Sequence, residues 1–258
     1  MMLIDQYGYR SGLRKVNVME KFCFSVTTLL LCILSRSFSV SILVLLSLGW
    51  LTIRKGGISV RRYIKLMRIP AVFLLLSTLA ILVNISKTPL DAYAVPAGSY
   101  YITGSWESLI FGFRLILSAL SAVSCLYFLS LSTPVTDLIG ILKKLGCPAL
   151  LIELFMLIYR FIFVLLSEAT AIRISQEARL SNRNFKTSVH AFGGMASALF
   201  MKAMKRSGRL FDAMESRCYN GNMRVLLEDY PPKRKEIIYI IMFELLLLSL
   251  IIGRKIYG

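Results

Sequence analysis

The stretch LLIELFMLIYRFIFVLL, residues 150–166, decides the fold. Hydropathy alone makes it a membrane span. It also contains Glu153 and Arg160, seven residues apart and therefore on one face of a helix. If it crosses a bilayer, everything that follows changes side. Five other apolar runs flank it, at 22–34, 38–53, 71–85, 109–131 and 237–252. Several are shorter than the roughly 20 residues needed to cross a hydrocarbon core of about 30 Å. Flanking apolar or snorkelling residues, or local thinning, complete the crossing. Only Ser35-Arg36-Ser37 separates the first two runs, which predicts a tight helical hairpin.

Charge counting sorts the runs. The segment before the first run has four Arg and Lys (Arg10, Arg14, Lys15, Lys21), and the hairpin tip has one, Arg36. The next loop has six, from Arg54 to Arg68, and the loop after it has one, Lys87. Sixteen lie between Thr133 and Lys235. With five spans these counts alternate, rich then poor. The positive-inside rule then predicts a cytoplasmic N-terminus and an outer C-terminus. Making 150–166 a sixth span would send the thirteen basic residues from Arg173 to Lys235 outward. The stretch is therefore expected to lie at the cytoplasmic membrane face, partly buried against other helices.

Composition agrees. The chain is 56% hydrophobic over 258 residues, with a mean hydropathy of +0.67. Soluble domains usually stay at about 45–50%. A net charge of +17 on a soluble protein would point to nucleic acid. Here the basic residues sit between apolar runs, so no nucleic-acid partner is expected. The five cysteines are scattered, with no C-x-x-C pair, and read as free thiols. The polar N-terminal segment is not followed by a cleavable signal pattern.

The expected fold class is an all-α integral membrane protein, with about five transmembrane helices plus cytoplasmic coupling helices. The expected divisions are 1–132, 133–235 and 236–258. Within the middle division, TDLIGILKKLG (136–146) reads as a short amphipathic helix closed by Gly146. A long helix follows to about Leu180. SNRNFKTSVHAFGG (181–194) has the composition of a turn, and a further helix is expected from about 195 to 218. On that last helix Phe200, Ala203, Met204, Ser207, Leu210, Phe211 and Met214 fill one arc. Lys202, Lys205, Arg206, Arg209 and Asp212 fill the other, and Arg217 falls at the edge between them.

No catalytic set is visible. There is one histidine, His190, expected in a loop and without the partners of a metal site. No G-x-x-x-x-G-K-[ST] occurs, so the chain has no phosphate-cradling loop of its own. Gly56-Gly57 and Gly193-Gly194 read as turns. Arg114 is an intramembrane charge that snorkels or faces another subunit.

Two segments carry a resemblance. EARLSN (177–182) and AMESRCYNG (213–221) resemble the paired small-Arg-small motifs of the transmembrane T component of energy-coupling factor transporters. The start, IDQYGYRSGLRKVNVMEK, and YIKLMRIPAVFLLLSTLAIL are similar to its cobalt-type subfamily, CbiQ. Leu180 and Cys218 stand where glycine or another small residue is usual. The resemblance implies a scaffold, not an enzyme, joining two P-loop ATPase subunits to a substrate-binding membrane subunit within the lipid bilayer. It implies that Ala178, Arg179, Leu180, Ser216, Arg217 and Cys218 contact the ATPases. No cofactor and no metal ligand of this chain's own is expected. The implied cargo is cobalt or nickel. The alternatives are a vitamin importer of the same design and a membrane insertase or chaperone without ATPases.

Overall fold

The computed structural model describes residues 3–35, 37–82, 84–86, 93–97, 100–104, 106–181, 183–221 and 230–257. They form nine helices and three short strands: α1 (Leu3–Arg10), α2 (Val18–Ser35), α3 (Phe38–Arg54), α4 (Val60–Leu82), β1 (Asn84–Ser86), β2 (Tyr93–Ala97), β3 (Tyr100–Gly104), α5 (Trp106–Ser132), α6 (Val135–Lys144), α7 (Ala149–Ala178), α8 (Phe185–Glu215) and α9 (Arg234–Tyr257). The protein is an all-α membrane protein with this small sheet as its one β feature among the described residues. Two compact units divide it: residues 2–138 with 228–258, and residues 139–227.

The first unit is built around α5. Its inward face is small, with Gly112, Ser121, Ser124 and Cys125 above Phe128 and Leu131. Small residues let helix backbones approach closely where lipid supplies no hydrophobic drive. Hydroxyls and thiols then bond across the interfaces. Ser25 Oγ donates to the Cys125 carbonyl at 2.8 Å, Tyr63 Oη and Ser124 Oγ meet at 2.8 Å, and Cys32 Sγ lies 2.7 Å from Ser121 Oγ. Phe24 stands edge-on to both Phe128 and Phe243, with centroids 5.8 and 5.7 Å away, which docks α9 onto α2. Lys21 Nζ donates to the carbonyls of Leu13 and Ser132 at 3.2 and 3.3 Å. A buried cation at the last carbonyl of α5 suits the negative end of its dipole. All five cysteines are free.

The strands were not expected; the sequence reads 86–107 as a plain loop. They pair antiparallel in the order β1-β3-β2, with Val95 opposite Ile102 and Pro96 opposite Tyr101. Pro96 lacks a backbone N–H, and its strand lies at an edge, where that absence is tolerated. Runs of five residues are too short to show a clear alternation.

Length and composition make four described helices able to cross a membrane: α2, α5, α7 and α9 up to Gly253. The expected run 38–53 is α3, whose 17 residues make it shorter. Of the run 71–85, residues 71–82 are the apolar end of α4, which opens on Arg61, Arg62, Lys65 and Arg68, and residues 84–85 belong to β1. Helix α7, the 150–166 stretch and its continuation, passes this test as well as α5 does.

The second unit holds most of α6, with α7 and α8. Gly146, at φ +85°, closes α6 as expected. The expected turn at 181–194 is a correction. Helix α8 starts at Phe185, so His190, Gly193 and Gly194 lie inside a helix. Asn184 and Thr187 explain the early start: the Asn184 N–H donates to Thr187 Oγ1 at 3.0 Å, and Thr187 Oγ1 donates back to the Asn184 carbonyl at 2.8 Å. That reciprocal pair nucleates the first turn, and the two glycines are carried through.

Candidate functional site

The chain leaves α7 at Ala178 and returns as α8 from Phe185. Polar contacts tie the two helices. Gln176 Nε2 donates to the Ala191 carbonyl at 2.8 Å, Lys202 Nζ meets Glu168 at 2.5 Å, and Tyr219 Oη donates to Glu153. Partner numbers fall on α7 as they rise beyond α8, so the pair is an antiparallel hairpin in fixed register. The bond to Glu153 holds the Tyr219 phenol above its ordinary value of 10.0. Packing contributes little. Helix α7 buries only Ile152 and α8 buries no side chain. Leu150 is 74% exposed and Phe200 is 65% exposed.

The two charges inside the apolar stretch have a place in this hairpin. Glu153 accepts the Tyr219 bond. Arg160 lines a cleft between α7 and α8 together with Arg206 and Arg209.

The residues singled out in the sequence sit at the C-terminal ends of the two helices. Ala178 is the last helical residue of α7, Arg179 follows it, and Leu180 turns left-handed at φ +57°. Ser216 and Arg217 follow α8, and Cys218 turns left-handed at the same φ of +57°. The hydrogen bonds repeat as well. The N–H groups of Arg179, Leu180 and Ser181 reach the carbonyls of Gln176, Glu177 and Gln176 at 3.1, 3.0 and 3.1 Å. Those of Arg217, Cys218 and Tyr219 reach Met214, Glu215 and Met214 at 3.1, 3.0 and 3.1 Å. Each end is a Schellman motif, in which a left-handed residue lets the next N–H reach back over the last turn. In both, an exposed arginine immediately precedes the left-handed position.

Glycine suits that position because it has no Cβ to clash. Gly146 fills it at the end of α6, where the Cys147 N–H reaches the Leu142 carbonyl at 3.1 Å. Leu180 and Cys218 occupy it at a cost of roughly 1–2 kcal/mol each. The departures noted in the sequence are thus the two strained positions of the site. Leu180 is 73% exposed, so among the described residues little covers the side chain at this strained position.

The two arginines are not brought together. Tyr219 fixes the end of α8 beside Glu153, and Arg179 lies twenty-six positions along the chain from Glu153. At 1.5 Å per residue the arginines stand about 40 Å apart. Sequence reasoning missed the Tyr219–Glu153 tie and the arginine cleft, because both join residues far apart in the chain. Its one available signal was the seven-residue spacing of Glu153 and Arg160. Among the described residues, no group of three or more His, Cys, Asp or Glu could hold a metal ion.

Comparison with known proteins gives a consistent picture. The family model CbiQ, described as a cobalt transport protein, matches residues 10–226. The uncharacterized protein MJ1089 of Methanocaldococcus jannaschii is 30% identical over 248 residues, which is 96% of this chain and 92% of that protein. The putative fused cobalt transport protein CbiMQ of Methanocorpusculum labreanum is 31% identical over 230 residues, or 88% of this chain and 38% of that protein. The cobalt transport protein CbiQ of Salmonella typhimurium is 27% identical over 226 residues, covering 86% of this chain and 99% of that protein. A family match that runs from residue 10 to residue 226, through both arginine-bearing helix ends, places this chain in the CbiQ family of cobalt transport proteins.

Proposed function

We propose that the chain is the transmembrane T component of an energy-coupling factor importer. Its α7–α8 hairpin docks two P-loop ATPase subunits and links them to a separate substrate-binding membrane subunit. Cobalt is the cargo that family membership favours, with nickel the nearest alternative. The chain does not itself hydrolyse ATP. The observation that carries this reading is the pair of matching helix ends. Two exposed arginines stand in one backbone geometry about 40 Å apart, which suits one arginine for each of two like partners. Each guanidinium fork can meet a carboxylate or helix-end carbonyls in a partner's groove. The fused relative, whose CbiQ-like part is a minority of its length, supports a membrane partner.

The topology proposed with it has five spans, α2, α3, α4, α5 and α9, with the N-terminus cytoplasmic. Helix α7 lies along the cytoplasmic face. The alternation of Arg and Lys between the runs supports this. So does the placement of Glu153, bonded to Tyr219, and of Arg160, which faces the cleft between α7 and α8.

The test is assembly. Arg217→Glu or Arg179→Glu should weaken co-purification of ATPase subunits about 30- to several-thousand-fold, the effect of reversing one partner in a buried charged contact. Membrane insertion should stay normal. Lys205→Glu makes the same charge change on the side of α8 away from its end, and should assemble. If Arg217→Glu and Arg179→Glu assemble as well as Lys205→Glu, the arginines merely complement helix dipoles and the coupling reading is wrong.

A further inference from the structure

The cleft between α7 and α8 gathers three guanidiniums on an apolar wall. Arg160, Arg206 and Arg209 line about 370 Å³, with Phe161, Val164 and Leu210 beside them. Among the described residues none of the three arginines has a carboxylate at ion-pair distance. The Glu168 carboxylate, which the Arg206 charge reaches through space, is held by Lys202 at 2.5 Å. Arg209 spends only its Nε, on the Lys205 carbonyl at 3.3 Å. The volume lies within the roughly 300–1,000 Å³ typical of small-molecule sites.

We infer that this cleft binds the phosphate of an anionic phospholipid from the cytoplasmic leaflet. The inference rests on the reading that the hairpin lies against that leaflet. Three like charges crowded together repel one another unless an anion sits between them. Arginine forks match phosphate oxygens in pairs. The wall chemistry narrows the choice of anion. Phe161 and Val164 belong to α7, a helix apolar enough to enter a bilayer. A soluble phosphate would leave that wall wet, whereas the glycerol and first methylenes of a lipid cover it. The cytoplasmic leaflet carries the anionic headgroups, and each basic residue near it strengthens attachment about fivefold. The lipid would hold the middle of the hairpin to the membrane, between the two arginine ends.

The test uses the full chain in mild detergent, with native mass spectrometry after equilibration with phosphatidylglycerol or phosphatidylcholine. Wild type should retain phosphatidylglycerol and not phosphatidylcholine, and millimolar inorganic phosphate should not displace it. Arg206→Gln/Arg209→Gln should lose about 25-fold in retention, five for each charge. Arg206→Lys/Arg209→Lys, which keeps the charge, should stay within about fivefold of wild type. Arg173→Gln, on the helix that carries Arg160 and already paired with Glu177, should match wild type. Equal retention of both lipids, or displacement by inorganic phosphate, overturns the proposal. So does unchanged lipid retention by the Gln pair together with lost ATPase subunits, which would make the cleft a protein interface. Labelling of Lys186→Cys from outside intact cells would instead overturn the cytoplasmic reading. Lipid retention in detergent does not depend on sidedness, so the two failures are separable.

Discussion

The membrane unit around α5 and the α7–α8 hairpin hold their shapes by different means. Around α5 the contacts are buried and small: Cys32, Val40, Val44, Cys125 and Leu131 have no exposed surface. In the hairpin, polar ties such as Gln176–Ala191, Glu168–Lys202 and Glu153–Tyr219 join two helices of 30 and 31 residues, which bury one side chain among the described residues. The first unit carries its own packing. The second has large exposed apolar faces, which in a folded protein mark surfaces that something else covers. The first unit is closed by its own side chains, and the second leaves most of its apolar side chains exposed.

Three perturbations sharpen or break this contrast. The largest effect is expected in the membrane unit. Phe128→Ala removes a side chain that is 2% exposed and edge-on to Phe24, and should cost about 3–5 kcal/mol. Phe200→Ala, at 65% exposure on α8, should stay within about 0.5 kcal/mol in the isolated chain. Unfolding in detergent measures both. Equal losses would mean that the hairpin is packed after all.

Smaller effects are expected at the arginine ends. Leu180→Gly and Cys218→Gly should each relieve roughly 1 kcal/mol of left-handed strain. Amide exchange at Ser181 and Tyr219, whose N–H groups close the two Schellman turns, should slow accordingly. If exchange quickens, the left-handed turns are not the resting geometry of these ends.

The smallest effect concerns a single tie. Tyr219→Phe should speed exchange at the end of α8 by less than about tenfold and leave Gln176–Ala191 intact. The pH dependence has a definite sign. The folded phenol titrates above 10.0, so the tie persists across neutral pH. It is complete below the ordinary tyrosine value and is lost as pH rises through the raised one. A tie lost near neutrality would show that Glu153 is not its partner.

Much of the fold was legible because lipid imposes simple rules on sequence. Apolar runs marked α2, α3, α5 and α9, and Ser35-Arg36-Ser37 marked a break between helices. The end of α6 at Gly146 and the long helix to Ala178 were also visible. The start of α8 was misread because Asn184, Gly193 and Gly194 carry turn chemistry on a composition scale. What decides the matter is a reciprocal pair of hydrogen bonds between Asn184 and Thr187, a geometric fact. The arginine motifs were visible as short patterns. Their shared left-handed turn was not, since Leu180 and Cys218 replace the glycine that signals one. The hairpin's ties were invisible because each joins residues separated by 15 to 66 positions.

The ties between α7 and α8 have one further consequence. They fix the phase of each helix as well as its place. One residue added to α8 between Lys202 and Tyr219 would swing everything beyond it by about 100° and advance it about 1.5 Å. Arg217 would then point to a different quadrant while Arg179 stayed where it is. Removing four residues would turn the same arginine by only about 40° and draw it in by about 6 Å. The stretch of α8 that carries Arg217 is therefore constrained as a whole number of turns, and its length is as much a part of the site as the residues at its end.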